Sequence, residues 1–170
     1  MKKLLYTFFF FSLYINVSTA TNNSFREAFH NNDLNKENVE RMIASYSSDN
    51  STVDQAYLGV CQAIMAQYVF LPTTKLKSFY DGKDLLDESI EDNQKNGEQR
   101  YLRLLIQLNA PSFLFYNKNI DTDLEVFIED VRNQNIDPEW SVIFIDNLLK
   151  GKKLSEQQIE ELTLLKNQLL

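Results

Sequence analysis

Apolar residues recur at helical spacing through most of this chain, and very little interrupts them. Val39, Met42, Ile43 and Tyr46 fall at i, i+3, i+4 and i+7, and Leu124, Phe127, Ile128 and Val131 repeat that spacing. Only four glycines and three prolines occur in 170 residues, and nearly all of them sit where the pattern breaks. No stretch alternates apolar and polar residues between hairpin turns. The chain is therefore expected to be all-α, an irregular array of antiparallel helical hairpins of tetratricopeptide-like or bundle type. About eight helices with short connections are expected.

The stop and start signals give a first set of boundaries. Ser24 is placed to cap a short helix carrying Phe25, Ala28 and Phe29, and Asn35 to cap the next. Thr52 opens a long helix over 52–70, which Pro72 ends. Ala56, Gly59, Ala63 and Ala66 keep one of its sides small, so a neighbour approaches closely and this helix is expected at the centre. A short helix over 75–80 stops at Asp81-Gly82, and another covers 84–92. The next runs over 98–108. Pro111 restarts a short piece through Tyr116, with Phe113, Phe115 and Tyr116 covering one end of the core. Asp121 caps 122–133, Asp137-Pro138 opens the following helix and Gly151 closes it. Ser155 and Gln158 form a capping box for the last helix, which turns Ile159, Leu162, Leu165 and Leu169 inward.

The first 20 residues have the organisation of an export signal. Lys2 and Lys3 precede an apolar run over 4–17, and Ser18-Thr19-Ala20 supplies small residues for cleavage after Ala20. The run is shorter than the roughly 20 apolar residues a membrane span needs. Residues 21–170 then form a single helical domain, periplasmic or secreted, with no stable membrane insertion. Removing Lys2 and Lys3 leaves 15 Lys plus Arg against 24 Asp plus Glu, a net charge of −9. Such a surface repels phosphate backbones, so nucleic acid is not an expected partner. A lone cysteine, Cys61, makes no internal disulfide.

The catalytic repertoire is thin. One histidine, His30, and Cys61 are the only soft groups. Cys61 lies in "LGVCQAI", where an inert buried thiol is expected. His30 ends a short helix, where capping or exposure fits better than catalysis. Neither zinc nor another metal has a ligand set. "DTDLEVFIEDVR" fails as a calcium loop, with Val126 in place of the glycine and Arg132 in place of the last glutamate. The acids Asp84, Asp87, Glu88, Glu91 and Asp92 read as a solvated helix face. No cofactor is expected, and neither is an enzymatic role.

The most informative stretch is "GEQRYLRLLIQLNAPSFLFYN". Tyr101, Leu104, Leu105 and Leu108 form an apolar face, while Arg100, Arg103 and Gln107 form a narrow polar stripe. A helix this apolar is mostly buried, and a desolvated guanidinium without a carboxylate is very costly. Asp84, Asp87, Glu88 and Asp123 are candidate partners; Glu98 is too near in sequence to share the Arg100 face. Two readings stay open. One is an ion-pair network that fixes helix register. The other is an anion or peptide-carboxylate pocket at Arg100 and Arg103, of small-molecule-binding or hydrolytic type, with Tyr116, Phe113 or Lys75 on its wall.

The middle of the chain, about 54–130, carries a resemblance. Gly59, Pro72, Lys75, Leu76, Asn96, Glu98, Arg100, Tyr101, Leu102, Arg103, Asn109, Ala110, Pro111, Phe113, Leu114, Tyr116, Asn119 and Asp123 follow the pattern of a family of uncharacterised exported Bacteroidetes proteins. That resemblance implies export and brings no activity with it. "LLDESIEDNQKNGEQRYLRL" is also similar to the join between two tetratricopeptide repeats, with Asn93-Gln94 in place of Asp-Pro and the 72–83 segment lengthening the unit. This similarity implies helical hairpins and a peptide-binding groove, with another envelope or secreted protein as the partner.

Overall fold

The computed structural model describes residues 20–47, 50–151 and 153–170. It is all-helical, with eight α-helices and one 3-10 turn: α1 Ala20–Asn31, α2 Lys36–Ser45, α3 Thr52–Met65, α4 Pro72–Asp92, α5 Gly97–Asn109, the turn Ser112–Leu114, α6 Ile120–Arg132, α7 Pro138–Leu149 and α8 Glu156–Leu169. No strand occurs among the described residues. The export signal read over residues 1–20 lies, Ala20 apart, outside them. Among the described residues, no helix is long and apolar enough to cross a membrane.

Capping follows several of the short polar residues, but Ser24, expected as the first cap, lies inside α1. Asn35 accepts from the Asn38 amide, and Asp137 from that of Glu139. Ser155 and Gln158 close a reciprocal capping box, as their spacing predicts. Ser51 and Asp54 close a second one at the start of α3. At α6 the expectation is corrected. The helix begins at Ile120, so Asp121 lies inside the first turn and accepts from Gln158 at 2.8 Å.

Helices α3, α4, α5 and α6 make a run of antiparallel hairpins. Helix α3 packs on α1, α2, α4 and α5, and its pairing with α4 is the most extensive in the fold. Gly59 lies against Gly82, and Gln55 reaches Glu88 at 3.1 Å, so the two helices run in opposite directions. The expected 52–70 helix is shorter: it ends at Met65, and the amides of Ala66, Gln67 and Tyr68 close tight i→i−3 turns instead. Pro72 does not end α3. It occupies the first turn of α4, where its missing N–H costs nothing.

The break read at Asp81-Gly82 is also absent, for α4 runs unbroken through it. Gly82 is a contact point rather than a stop. A Cβ there would overlap the Gly59 carbonyl oxygen and the Ala63 nitrogen, each at 2.4 Å. Close packing of α4 on α3 outweighs the roughly 1 kcal/mol that glycine costs a helix interior.

The main core joins Val39 and Met42 of α2, Tyr57 and Val60 of α3, Leu86 of α4, Tyr101 and Leu104 of α5, Phe127 of α6, Phe144 of α7 and Leu162 of α8. Tyr101 stacks on Phe144 at 4.1 Å with a 10° interplanar angle. Cys61 is buried against Met42, and burial pushes its thiol up to about 12, which leaves it inert. A smaller cluster of Ala63, Phe79 and Ala110 lies under Leu114 and Tyr116. Phe113 and Phe115, expected to cover the core, point outward at 68% and 76% exposure. On α8, Leu162 and Leu165 are buried, but Ile159 is exposed.

Candidate functional site

Three places bring polar or exposed apolar side chains together: the arginine stripe, a polar cluster under α1, and a groove at the α3–α4–α5 end.

The stripe of α5 faces the first turn of α6. Arg103 donates from Nε to Asp123 Oδ2 at 2.7 Å and from Nη2 to Asp123 Oδ1 at 2.6 Å, a bidentate fork. Its Nη1 donates to Asp87 Oδ1 at 3.0 Å. Arg100 donates from Nη1 to Asp123 Oδ1 at 2.9 Å, and from Nε and Nη2 to the Gln94 carbonyl. Gln107 Nε2 donates to Asp123 Oδ2 at 2.6 Å, and its own carbonyl accepts from the Asn119 amide. Every guanidinium nitrogen of the two arginines therefore has a partner within the protein. Asp123 is wholly buried, and the N-terminal end of α6 adds its dipole to the cations around it. Burial pulls the Arg103 guanidinium down, but Asp123 and Asp87 more than offset it and hold it above the ordinary range.

Tyr116 joins this network through its hydroxyl, which donates to Asp87 Oδ1 at 2.7 Å. Burial, then the Asp87 charge, push that phenol well up. Lys83 approaches Asp87 at 3.1 Å. Three of the residues weighed with the stripe, Phe113 of the 3-10 turn among them, are elsewhere. Lys75 lies on the exposed first turn of α4, and Glu98 projects from α5 toward α1 and α3.

Glu98 is the centre of the second place. Arg26 of α1 grips both its carboxylate oxygens, Nε at 2.6 Å from Oε1 and Nη2 on Oε2. Tyr57 of α3 donates its hydroxyl to Oε1 at 2.8 Å. The Arg26 guanidinium also sits 5.5 Å from the Trp140 ring centroid. His30 stands beside them among Phe29, Tyr57, Tyr101, Trp140 and Phe144, with ring centroids 5.0–6.1 Å away. The Tyr57 proton goes to Glu98, so the Tyr57 oxygen accepts from His30 Nε2 at 3.4 Å. His30 Nδ1 then accepts from Asn147 at 3.5 Å. One neutral imidazole satisfies both contacts. The sequence expectation of a free or capping histidine is thus corrected: it fastens α1 to the aromatic core.

Burial, aided by the Arg26 charge, holds His30 down at about 4. Between about 4 and the ordinary 6.5 the unfolded chain binds a proton that the folded protein refuses, so stability falls as pH drops through that window. The pKa gap corresponds to roughly 3 kcal/mol at most. Screening at the half-buried ring reduces the expected loss to about 2 kcal/mol. Urea titrations from pH 7.5 to 4 measure it, and His30→Gln should remove that part of the slope. An unchanged slope in the variant would refute the assignment.

The third place is a groove of about 290 Å³ between the C-terminal part of α3, the first turns of α4, the end of α5 and the 3-10 turn. Ala63, Ile64, Leu76, Phe79, Ile106 and Phe113 line it, over the smaller apolar cluster. Phe70 is 92% exposed just before α4 begins, with Leu71 beside it in sequence. Phe115, just past the lining, takes a left-handed backbone (φ 51°, ψ 29°), rare for a bulky residue. In the sequence, only "VFLP" and "FLF" beside two prolines hint at these exposed aromatics. The Glu98 cluster left no such signal, because its members come from α1, α3, α5 and α7.

Comparison of the chain with family models, curated proteins and solved structures gives no match.

Proposed function

We propose that this is an exported, non-enzymatic helical protein that acts by holding another protein or peptide in the groove between α3, α4 and α5. The observation that carries this reading is the apolar lining, in which Phe113 is 68% exposed, with the exposed Phe70 and Phe115 near lining residues in sequence. Exposed apolar surface lining a groove is a mark of interaction sites. Phe115 keeps its ring outside at the cost of an unfavourable backbone conformation, of order 1–3 kcal/mol. The resemblance to exported Bacteroidetes proteins and the similarity to tetratricopeptide hairpins belong with this reading. An anion or small-molecule site at Arg100 and Arg103 has less support, since their nitrogens are already engaged by Asp123, Asp87 and the Gln94 carbonyl.

The test places a photo-crosslinking residue at Leu76 in the groove and, as a control, at Glu160 on α8. In the native host, a discrete adduct should form from position 76 and not from 160. Phe113→Asp should abolish it while thermal unfolding stays within about 1 kcal/mol of the parent, as befits an exposed site. Equal labelling from both positions would rule the groove out.

A further inference from the structure

Resting on the groove as the binding surface, we infer that its occupant is an amphipathic helix of a partner protein, carrying an acidic residue beside its apolar face. Two observations argue for this. The first is backbone chemistry. An extended peptide brings a row of N–H and C=O groups that need partners. Strand addition would supply them, but the described residues offer no sheet edge. The groove lining is aliphatic and aromatic, and its polar side chains are Gln67, Lys75 and Asn109. Asn109 already donates to the Leu105 carbonyl. A helix arrives with its own backbone bonds made, so it can lay leucine-type side chains onto Ile64, Leu76, Ile106 and Phe113 without leaving polar groups unpaired.

The second observation is charge. The protein carries a net charge of −7, yet the one charged residue in the groove lining is a cation, Lys75. Among the described residues, no carboxylate lies within ion-pair distance of it. Lys77, two residues on, is already taken by Asp81 at 2.5 Å. An acidic side chain on the incoming helix would pair with Lys75, whereas a basic helix face would meet it with like charge.

The experiment uses the full domain and three fluorescein-labelled peptides of about 18 residues, long enough to hold a helix once bound. The first carries leucine at i, i+3, i+4 and i+7 with flanking glutamates. The second has two central positions changed to proline, and the third has lysine in place of glutamate. The acidic helix should bind about tenfold more tightly than its proline form, because proline breaks the helix. It should bind about threefold more tightly than the lysine form, and Lys75→Glu should reverse that preference. If the proline form binds equally, or Lys75→Glu leaves the charge preference unchanged, the inference is wrong while the groove reading stands. If Leu76→Glu leaves peptide binding untouched, or no peptide binds while laurate or a second copy of the chain occupies the groove, both are wrong.

Discussion

Alanine at position 123 should destabilise this protein by about 3–5 kcal/mol, in the range reserved for breaking a buried ion pair by removing one partner. Asp123 has no exposure at all, and its two oxygens accept from Arg100, twice from Arg103, and from Gln107. Without it, two guanidinia with about a tenth of their side-chain surface exposed face each other without a shared counter-charge. Asp87 relieves Arg103 only in part, because it is itself a quarter exposed and already serves Tyr116 and Lys83. Asp123→Asn keeps the shape and loses the charge, so it should cost less, about 2 kcal/mol. A coordinated exchange of Arg100, Arg103 and Asp123 for apolar residues of similar volume should recover most of the loss, since such triads are often neutral to replace. Urea unfolding of the three variants decides between the outcomes. A loss below about 1 kcal/mol for Asp123→Ala would mean that the network bears little on α5–α6 docking.

That network also shows how far the sequence could be read. The stripe Arg100, Arg103 and Gln107 was legible because a helical wheel places it on one narrow face of an otherwise apolar helix. Asp123 and Asp87 were legible as candidates because a buried guanidinium demands a carboxylate. The choice among four acids needed the antiparallel return of α6, which brings residue 123 opposite 103. Capping was equally local: Asn35, Asp137 and the Ser155–Gln158 box declare themselves within four residues. Local misreadings moved helix ends, as at Asp121 and Pro72, whereas other expectations that failed depend on contacts distant in sequence. Gly82 looks like a stop until α3 is laid against it. His30 looks idle until α5 and α7 close an aromatic cage around it. Phe113 and Phe115 look like core cover because apolar residues usually are buried, yet both face solvent, in and just after the 3-10 turn.

The α3–α4 crossing sets up the second large effect. Gly82→Ala should lower stability by about 2–4 kcal/mol, although alanine is the better helix former by about 1 kcal/mol. The added Cβ falls on the Gly59 carbonyl oxygen and the Ala63 nitrogen, which are backbone atoms and cannot rotate aside. The helices must therefore separate along their longest shared contact. Gly59→Ala drives a Cβ to 2.7 Å from the Gly82 carbonyl oxygen and 2.9 Å from the Leu86 nitrogen, so it opens the same seam from the other side. Once one methyl has forced the helices apart, the second finds space already made. The double variant should then cost clearly less than the sum of the singles, with a coupling of at least about 1 kcal/mol in a double-mutant cycle. The same separation moves Ala63 and Ile64 of α3 away from Leu76 and Phe79 of α4, all of which line the groove. Peptide affinity should fall with stability in these variants, whereas Asp123→Asn, acting at the α5–α6 contact, should lower stability and leave the groove walls in place. A Gly82→Ala protein that unfolds at a higher urea concentration than the parent would show that α3 and α4 can slide at low cost, and would remove the rigid spacing on which the groove depends.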